Sequence, residues 1–303
     1  MGILQKVFVK IFYFKNKKYI MLYSIIKKVY NSKTIKNNNF RKILFFHNLI
    51  IKKINKGKKI YKINIGDLKL KFKSDLSNSY MTKIIYMRGY YEKKTSKYII
   101  NNLKKGDIFL DVGANLGYYS LLASKKNGDT GKVFSFEPVK SNYENLIENI
   151  KINNLKNIEY LNIGLGNENK EFDININPNN IGNNSVLLDH NYGYKEKIKI
   201  KRFDDLNLDI DKSKIKFIKI DVEGFEYEAM KGMEKLIDLN KNLQIILEFS
   251  PEFYHHFDEN YGLRFAQFIY SKGFETFDIN NNFKKINLID DNNYIQKNIL
   301  LKK

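Results

Sequence analysis

An apolar strand that runs straight into a glycine turn, and from there into a helix, constrains this chain more than any other feature. The stretch reads Gly106-Asp-Ile-Phe-Leu-Asp-Val-Gly-Ala-Asn-Leu-Gly117. Gly113 and Gly117 let backbone pass close to a ligand with no Cβ in the way. The helix expected over Tyr118 to Lys126 would turn free N–H groups toward that ligand. Asp111 closes the strand. The dinucleotide fingerprint needs three glycines as G-x-G-x-x-G, and only Asp111-x-Gly113-x-x-x-Gly117 is present here. Taken alone, the turn could open any doubly wound sheet.

A second apolar run, Phe134-Ser-Phe-Glu137, also ends on a carboxylate. In a doubly wound sheet an acid at that tip can accept hydrogen bonds from both ribose hydroxyls, which makes Glu137 the expected ribose ligand. Its competing role is a solvated acid ahead of a helix that Ser141-Asn-Tyr-Glu144 opens as a capping box. Further strand-like runs cover Ile158 to Asn162, Ile215 to Asp221 and Leu243 to Phe249, with helical patterns between them. Such alternation predicts an α/β fold, a mostly parallel sheet with helices on both faces. Asp111, Glu137, Asp221 and Glu248 then all stand at strand carboxyl ends, where such sheets bind ligands.

With these residues in order, a family resemblance becomes specific. Asp111-Val-Gly-Ala-Asn-Leu-Gly117, Phe136-Glu-Pro138, Asn149-x-x-x-Asn153, Ile218-Lys-Ile-Asp-Val-Glu-Gly-Phe-Glu226 and Ile246-Leu-Glu248 are similar in order and separation to FkbM-type methyltransferases. These are class I, S-adenosylmethionine-dependent enzymes that methylate hydroxyl groups on sugars, glycans and natural products. The resemblance spans residues 58 to about 300 and implies a Rossmann-like seven-stranded sheet that binds S-adenosyl-L-methionine. It implies that the methionine end of the cofactor lies near Gly113, Ala114 and Asn115, beside Asp111 and Gly117, with the ribose on Glu137. The adenine is then expected around Asn162 to Leu165, and Asp221 opposite the sulfonium.

Methyl transfer to oxygen asks for an acceptor held on axis about 3 Å from the methyl carbon, with a base nearby for its proton. Asp221, Glu223 and Glu248 are the candidates. Glu223 is favoured, because Gly224 follows it and a helix expected over Phe225 to Ile237 offers its positive end to developing negative charge. The competing role for Glu223 is satisfying that helix N-terminus, and the two roles can coexist. Methylation of exocyclic amines commonly uses an Asn/Asp-Pro-Pro-aromatic turn, whereas Pro138, Pro178 and Pro251 are the chain's three prolines and none are adjacent. Oxygen is the expected acceptor atom. No metal is assigned; the alternative is a divalent cation held by Asp221 and Glu248. His255 and His256 are adjacent and so point apart, which argues against a shared metal, and one of them could serve as a second proton acceptor.

The 303 residues suffice for one core domain and an appendage. Abundant Lys, Ile, Asn, Tyr and Phe suggest AT-rich coding, yet the charge is unevenly spread: residues 1 to 66 hold 17 Lys plus Arg and no acid. The expected organisation is a basic amphipathic helical extension at 1–57 and a methyltransferase domain at 58–303, with 58–104 over the cleft and 105–303 as core. Leu4, Val7, Phe8, Ile11 and Phe12 recur at helical spacing against Lys6 and Lys10, and a second apolar run covers Ile43 to Ile51. Neither reaches the ~18–20 apolar residues of a membrane span, and Lys10 and Lys15 break a signal-peptide core. Residues 1–55 are therefore expected either to lie on an anionic membrane surface or to pack on the core. The absence of cysteine excludes thiolate chemistry and disulfides and fits a reducing, cytoplasmic setting.

A hairpin is expected over residues 59 to 73 around Gly66-Asp67, followed by helix from Ser79 to Leu103, with Tyr90 and Tyr91 toward the acceptor. Asn175 to Asn191 reads as a loop for acceptor selectivity. Phe274 to Ile279 and Tyr294 to Leu301 read as the paired last strands. The leading function is O-methylation of a sugar, glycan or related natural product. The alternatives are an RNA methyltransferase that uses the basic segment, although no nucleic-acid module is recognisable, and a cofactor-binding adaptor without catalysis.

Overall fold

The computed structural model describes residues 57–76, 80–176, 194–254, 257–289 and 296–303. The amphipathic stretch through residues 4–12, the run Ile43 to Ile51, most of the Asn-rich segment and the His255–His256 pair lie outside the described residues. Lys58–Lys303 form one compact unit. It opens with the expected hairpin, β1 (Lys59–Ile65) and β2 (Leu68–Ser74), which turns at Gly66 with φ +56°. The helical stretch that follows is broken at Gly89, whose φ of +79° no helix tolerates, into α1 (Tyr80–Arg88) and α2 (Lys93–Asn102).

The glycine-turn strand is β3 (Ile108–Val112), buried along its whole length, and it feeds α3 (Tyr118–Asn127). Next come β4 (Lys132–Phe136), α4 (Lys140–Ile152) and β5 (Ile158–Leu161). A separate small sheet follows, built from β6 (Gly164–Leu165), β7 (Lys170–Ile176) and β8 (Tyr194–Lys201) in the order β6-β8-β7. The chain then returns to the main sheet through β9 (Ile215–Ile220), α5 (Glu226–Lys231), α6 (Glu234–Leu239) and β10 (Gln244–Phe249). It closes with α7 (Pro251–Tyr254), α8 (Tyr261–Ser271), β11 (Glu275–Asp278), β12 (Lys284–Lys285) and β13 (Lys297–Lys302).

The main sheet has eight strands in the order β12-β11-β13-β10-β9-β3-β4-β5, one more than expected because the two-residue β12 joins its edge. Strands β10, β9, β3, β4 and β5 run parallel, and the β13–β11 end is antiparallel. Both faces are covered, which is why the parallel strands read as continuous apolar runs. On one face Leu110, Phe136, Ile218 and Leu247 pack with Met230, Ile237 and Phe265 from α5, α6 and α8. On the other, Tyr98 of α2 meets Phe217 edge-on with ring centroids 6.0 Å apart, and α3 lies against β3 and β4. Strand order reverses between β3 and β9, which opens a crevice at their carboxyl ends. Among the described residues no helix is long and apolar enough to cross a membrane.

Three expectations are corrected. The helix over Phe225 to Ile237 is two helices, because a Cβ on Gly232 would stand 1.9 Å from the Gly166 carbonyl oxygen and the chain bends there. The carboxylate of Asp204 then accepts the N–H groups of Lys235 and Leu236 at 2.9 and 3.1 Å, so a remote residue starts the second helix. The Ser141–Glu144 capping box does not form: α4 already begins at Lys140, and Glu196 and Glu137 accept the N–H groups of Lys140 and Val139 at 2.7 and 2.9 Å. Finally, Asn175 and Ile176 belong to β7 rather than to a loop, and their alternation with β8 was readable as period two.

The hairpin is held by side chains that imitate a neighbouring strand. On successive turns of α4, Asn149 and Asn153 accept the N–H groups of Lys73 and Lys71 at 2.6 and 2.8 Å and donate to the same residues' carbonyls. Asn149 also donates to the Leu116 carbonyl in the glycine turn at 2.9 Å, which ties hairpin, helix and turn together. Asn149→Ala strands these buried groups, so denaturant unfolding should show a loss of ~1–3 kcal/mol or more. An unchanged midpoint would mean that water replaces the amide.

Candidate active site

A cleft of about 400 Å³ opens at the carboxyl ends of β3, β4, β9 and β10. One half is built by the glycine turn. Gly113 has φ +81° and lies so close to the next strand that a Cβ there would stand 1.9 Å from the Asp221 carbonyl oxygen. The N–H groups at the start of the turn are taken within the protein. Gly113 and Ala114 both donate to the Phe136 carbonyl at 3.0 Å, and Asn115 donates to the Glu137 carboxylate at 2.7 Å.

What this half offers a ligand is acceptors. Asn115 sits at φ +50° with its side-chain oxygen buried and without a partner. Glu137 receives one backbone N–H on each oxygen, from Asn115 and Val139, and a side-chain hydrogen bond from Asn142, which leaves part of its acceptor capacity for a ligand. Burial pushes its carboxyl up to about 7, against the pull of the N–H groups of Val139 and Asn115. Asp111 accepts the Ser120 hydroxyl at 2.5 Å, and burial raises it to about 6.

The other half is the segment after β9. Lys219, fully buried, reaches Asp221 at 3.0 Å. Glu223 follows in a left-handed conformation, φ +52°, with Gly224 at +99°. Buried Glu226 supports this turn by accepting the N–H groups of Gly224 and Val222 at 3.1 and 3.3 Å. Glu226 thus braces the turn that carries Glu223, and the Glu223 side chain lines the cleft. Burial, then the charges of Asp221 and Glu248, raise Glu223 to about 9. Glu248, on β10, is raised to about 8 by burial and by Asp221, while Lys219 and a hydrogen bond from Gln296 oppose the shift.

The cleft thus brings Asp111, Gly113, Ala114, Asn115, Glu137, Asp221, Glu223 and Glu248 onto one surface. Gly117 and Asn162 stand outside its lining. Gly117 packs under Leu146 at φ +88°, and the Asn162 amide donates to the carbonyls of Glu137 and Pro138 at 2.9 Å each. Tyr91 lines the cleft and Tyr90 does not. Lys219 and Glu226 stand in the motif read from sequence but received no role there, and Glu92 was not singled out. A lysine inside the apolar run Ile215-Lys-Phe-Ile-Lys-Ile220 was the available signal for the first.

The residues present suit S-adenosylmethionine. The unpartnered Asn115 oxygen and the Glu137 carboxylate are acceptors for an ammonium and for ribose hydroxyls, and carboxylates without a lining lysine or arginine suit a cationic sulfonium. Leu165, Ile174, Ile198 and Ile200 add an apolar wall for a flat base. Among the described residues no group of three or more side chains forms a metal site.

Comparison with known proteins gives the family. Residues 111–276, more than half of the chain, match the family model described as the methyltransferase FkbM domain. Methyltransferase sdnD of Sordaria araneosa is 27% identical over 46% of this chain and 64% of its own length. The hexuronic acid methyltransferase AglP of Haloferax volcanii is 27% identical over 47% of this chain and 56% of its own. The chain therefore spans between half and two thirds of the length of these relatives. A crystal structure of methyltransferase FkbM from Methylobacillus flagellatus aligns with 94% of this chain and 59% of its own, at 14% identity and a TM-score of 0.43. On the match of its motifs and of more than half its length, the chain belongs to the FkbM methyltransferase family.

Proposed function

We propose that the protein is an S-adenosylmethionine-dependent O-methyltransferase whose acceptor is a hydroxyl of a sugar, a glycan or a related natural product. One observation carries the reading: a carboxyl group, Glu223, is held at the cleft surface in a strained conformation and shifted to about 9, the range of a proton acceptor for a weakly acidic hydroxyl. When bound, S-adenosylmethionine supplies a methyl group on a good leaving group, so the protein has only to orient and deprotonate. Glu137 and Asn115 hold the donor. Glu223 would accept the proton of the acceptor hydroxyl as that oxygen takes the methyl group from the donor. Glu248, close enough to influence Glu223, can take the proton onward. The sugar-directed relative supports the substrate class. Peripheral contact of residues 1–55 with an anionic membrane surface belongs to the same reading, supported by 17 basic and no acidic residues in the first 66.

The direct test incubates the full chain with methyl-labelled S-adenosylmethionine and three acceptor sets: saccharides, small amines and RNA. Label should enter a saccharide hydroxyl. Label in RNA or in an amine, with none in the saccharides, would sink the proposal.

A further inference from the structure

Lys219 is the one lysine buried among the described residues, and nothing in the expected chemistry of methyl transfer requires it. It stands in register with Asp111 on β3 and Ile246 on β10, and its ammonium lies beneath the cleft. Desolvating a lysine this completely is strongly unfavourable unless carboxylates compensate. Here they over-compensate. Asp221 touches it at 3.0 Å, and Glu92 and Glu248 add their charge, so its own pKa is raised although burial alone would lower it. Glu92 is itself fixed by the Tyr119 hydroxyl at 2.5 Å and the Asn298 amide at 2.8 Å, and the Tyr119 ring centroid lies 5.5 Å from the ammonium.

The groups facing this point are thus Glu92 ahead of α2, Asp111 on β3, Tyr119 on α3, Asp221 and Glu223 after β9, Glu226 on α5 and Glu248 on β10. Tyr91 and Gln296 add neutral neighbours. One ammonium cannot hold all of these carboxyls ionised. It pairs with Asp221, while Glu223 and Glu248, raised by burial and by neighbouring carboxylates, are the two that hold protons near neutral pH.

We infer that Lys219 is a positioning residue of the methyl-transfer site: its buried ammonium, paired with Asp221, fixes that side chain at the rim opposite the glycine turn, and leaves Glu223 and Glu248 as the pair that exchanges the proton. The inference rests on the methyltransferase reading. It has a consequence for the cofactor: a cationic sulfonium arriving at this rim favours the ionised pair, so binding S-adenosylmethionine expels a proton that binding the uncharged-sulfur product does not. The site is then competent to accept a proton only when a methyl donor is present.

Calorimetry in buffers of different ionisation enthalpy, from pH 6 to 10, measures that proton without any acceptor. The wild-type chain should release more protons with S-adenosylmethionine than with S-adenosylhomocysteine. In Lys219→Met the pH midpoint of release should rise by about one unit or more, because the nearest cation has gone. Should that variant fail to fold, Asp221→Asn decides: removing an ionised neighbour should move the midpoint down. Equal release with both ligands, or an unmoved midpoint in either variant, would overturn the inference alone. No binding of either ligand by the wild-type chain would overturn the methyltransferase reading as well.

Discussion

Glu223→Gln should lower turnover by ~10²–10⁴-fold, the range lost with a positioned general base, while the affinity for S-adenosylhomocysteine stays within a few-fold. Glutamine keeps the shape and has no more difficulty than glutamate at φ +52°, so the turn should persist. Glu226, not Glu223, accepts the N–H groups of Val222 and Gly224, so the support of the turn is untouched. Glu223 is raised to about 9, so near neutral pH glutamine replaces a neutral side chain and thermal stability should hold, and above pH 9, where Glu223 would ionise beside Asp221 and Glu248, the variant should be the more stable. Turnover, product affinity and melting temperature, measured on one preparation, separate the roles. Full turnover would remove Glu223 from the chemistry; a large fall in stability would make it structural.

The same segment shows why part of the site was legible in sequence. Asp111, Glu137, Asp221 and Glu248 were recognisable because each stands at or one residue from the end of a mainly apolar run, the pattern of a parallel strand covered on both faces. Their meeting in one cleft follows from the strand order, which the alternation of strands and helices makes the default. What stayed hidden depends on partners distant in the chain. Glu196 caps α4 from 56 residues away, and the break at Gly232 answers to the backbone of Gly166. Nothing local says that the Phe136 carbonyl will take two N–H groups of the glycine turn.

Lys219 was hidden for another reason. Sequence patterns weigh residues by polarity, and a lysine in a strand counts as a solvent-facing position until the register sets it beside Asp111 and under Tyr119. The Asn149–Asn153 pair was visible as a spacing, but its purpose appears only when the free edge of β2 is seen against α4. Side chains at helical spacing that pair with a strand edge are recognisable only from both elements together.

The largest structural effect is expected from Gly113→Ala. Its new Cβ would stand 1.9 Å from the carbonyl oxygen of Asp221, 2.9 Å from the carbon and 3.1 Å from a methyl of Val222. The first two are backbone atoms, so no rotamer change relieves the overlap, and β3 and β9 must separate at the point where Asp221 donates its N–H to Val112 at 2.9 Å. A left-handed alanine costs ~1–2 kcal/mol, and overpacking adds ~1–3 kcal/mol. Together these take a large part of the ~5–15 kcal/mol that holds a typical domain. Gly117→Ala is the control. It shares the positive φ, at +88°, but its Cβ meets the Cδ1 of Leu146 at 2.5 Å, the far end of a side chain that can turn away. That variant should lose only the conformational ~1–2 kcal/mol and keep its ligand. In Gly113→Ala, by contrast, separation of the two strands pulls Asp221 and Glu223 away from the turn that carries Asn115, so cofactor binding should be lost even where the fold survives. Thermal melts and calorimetry with S-adenosylhomocysteine measure both losses. Wild-type values for Gly113→Ala in both would show that β3 and β9 do not approach each other as closely as 1.9 Å implies.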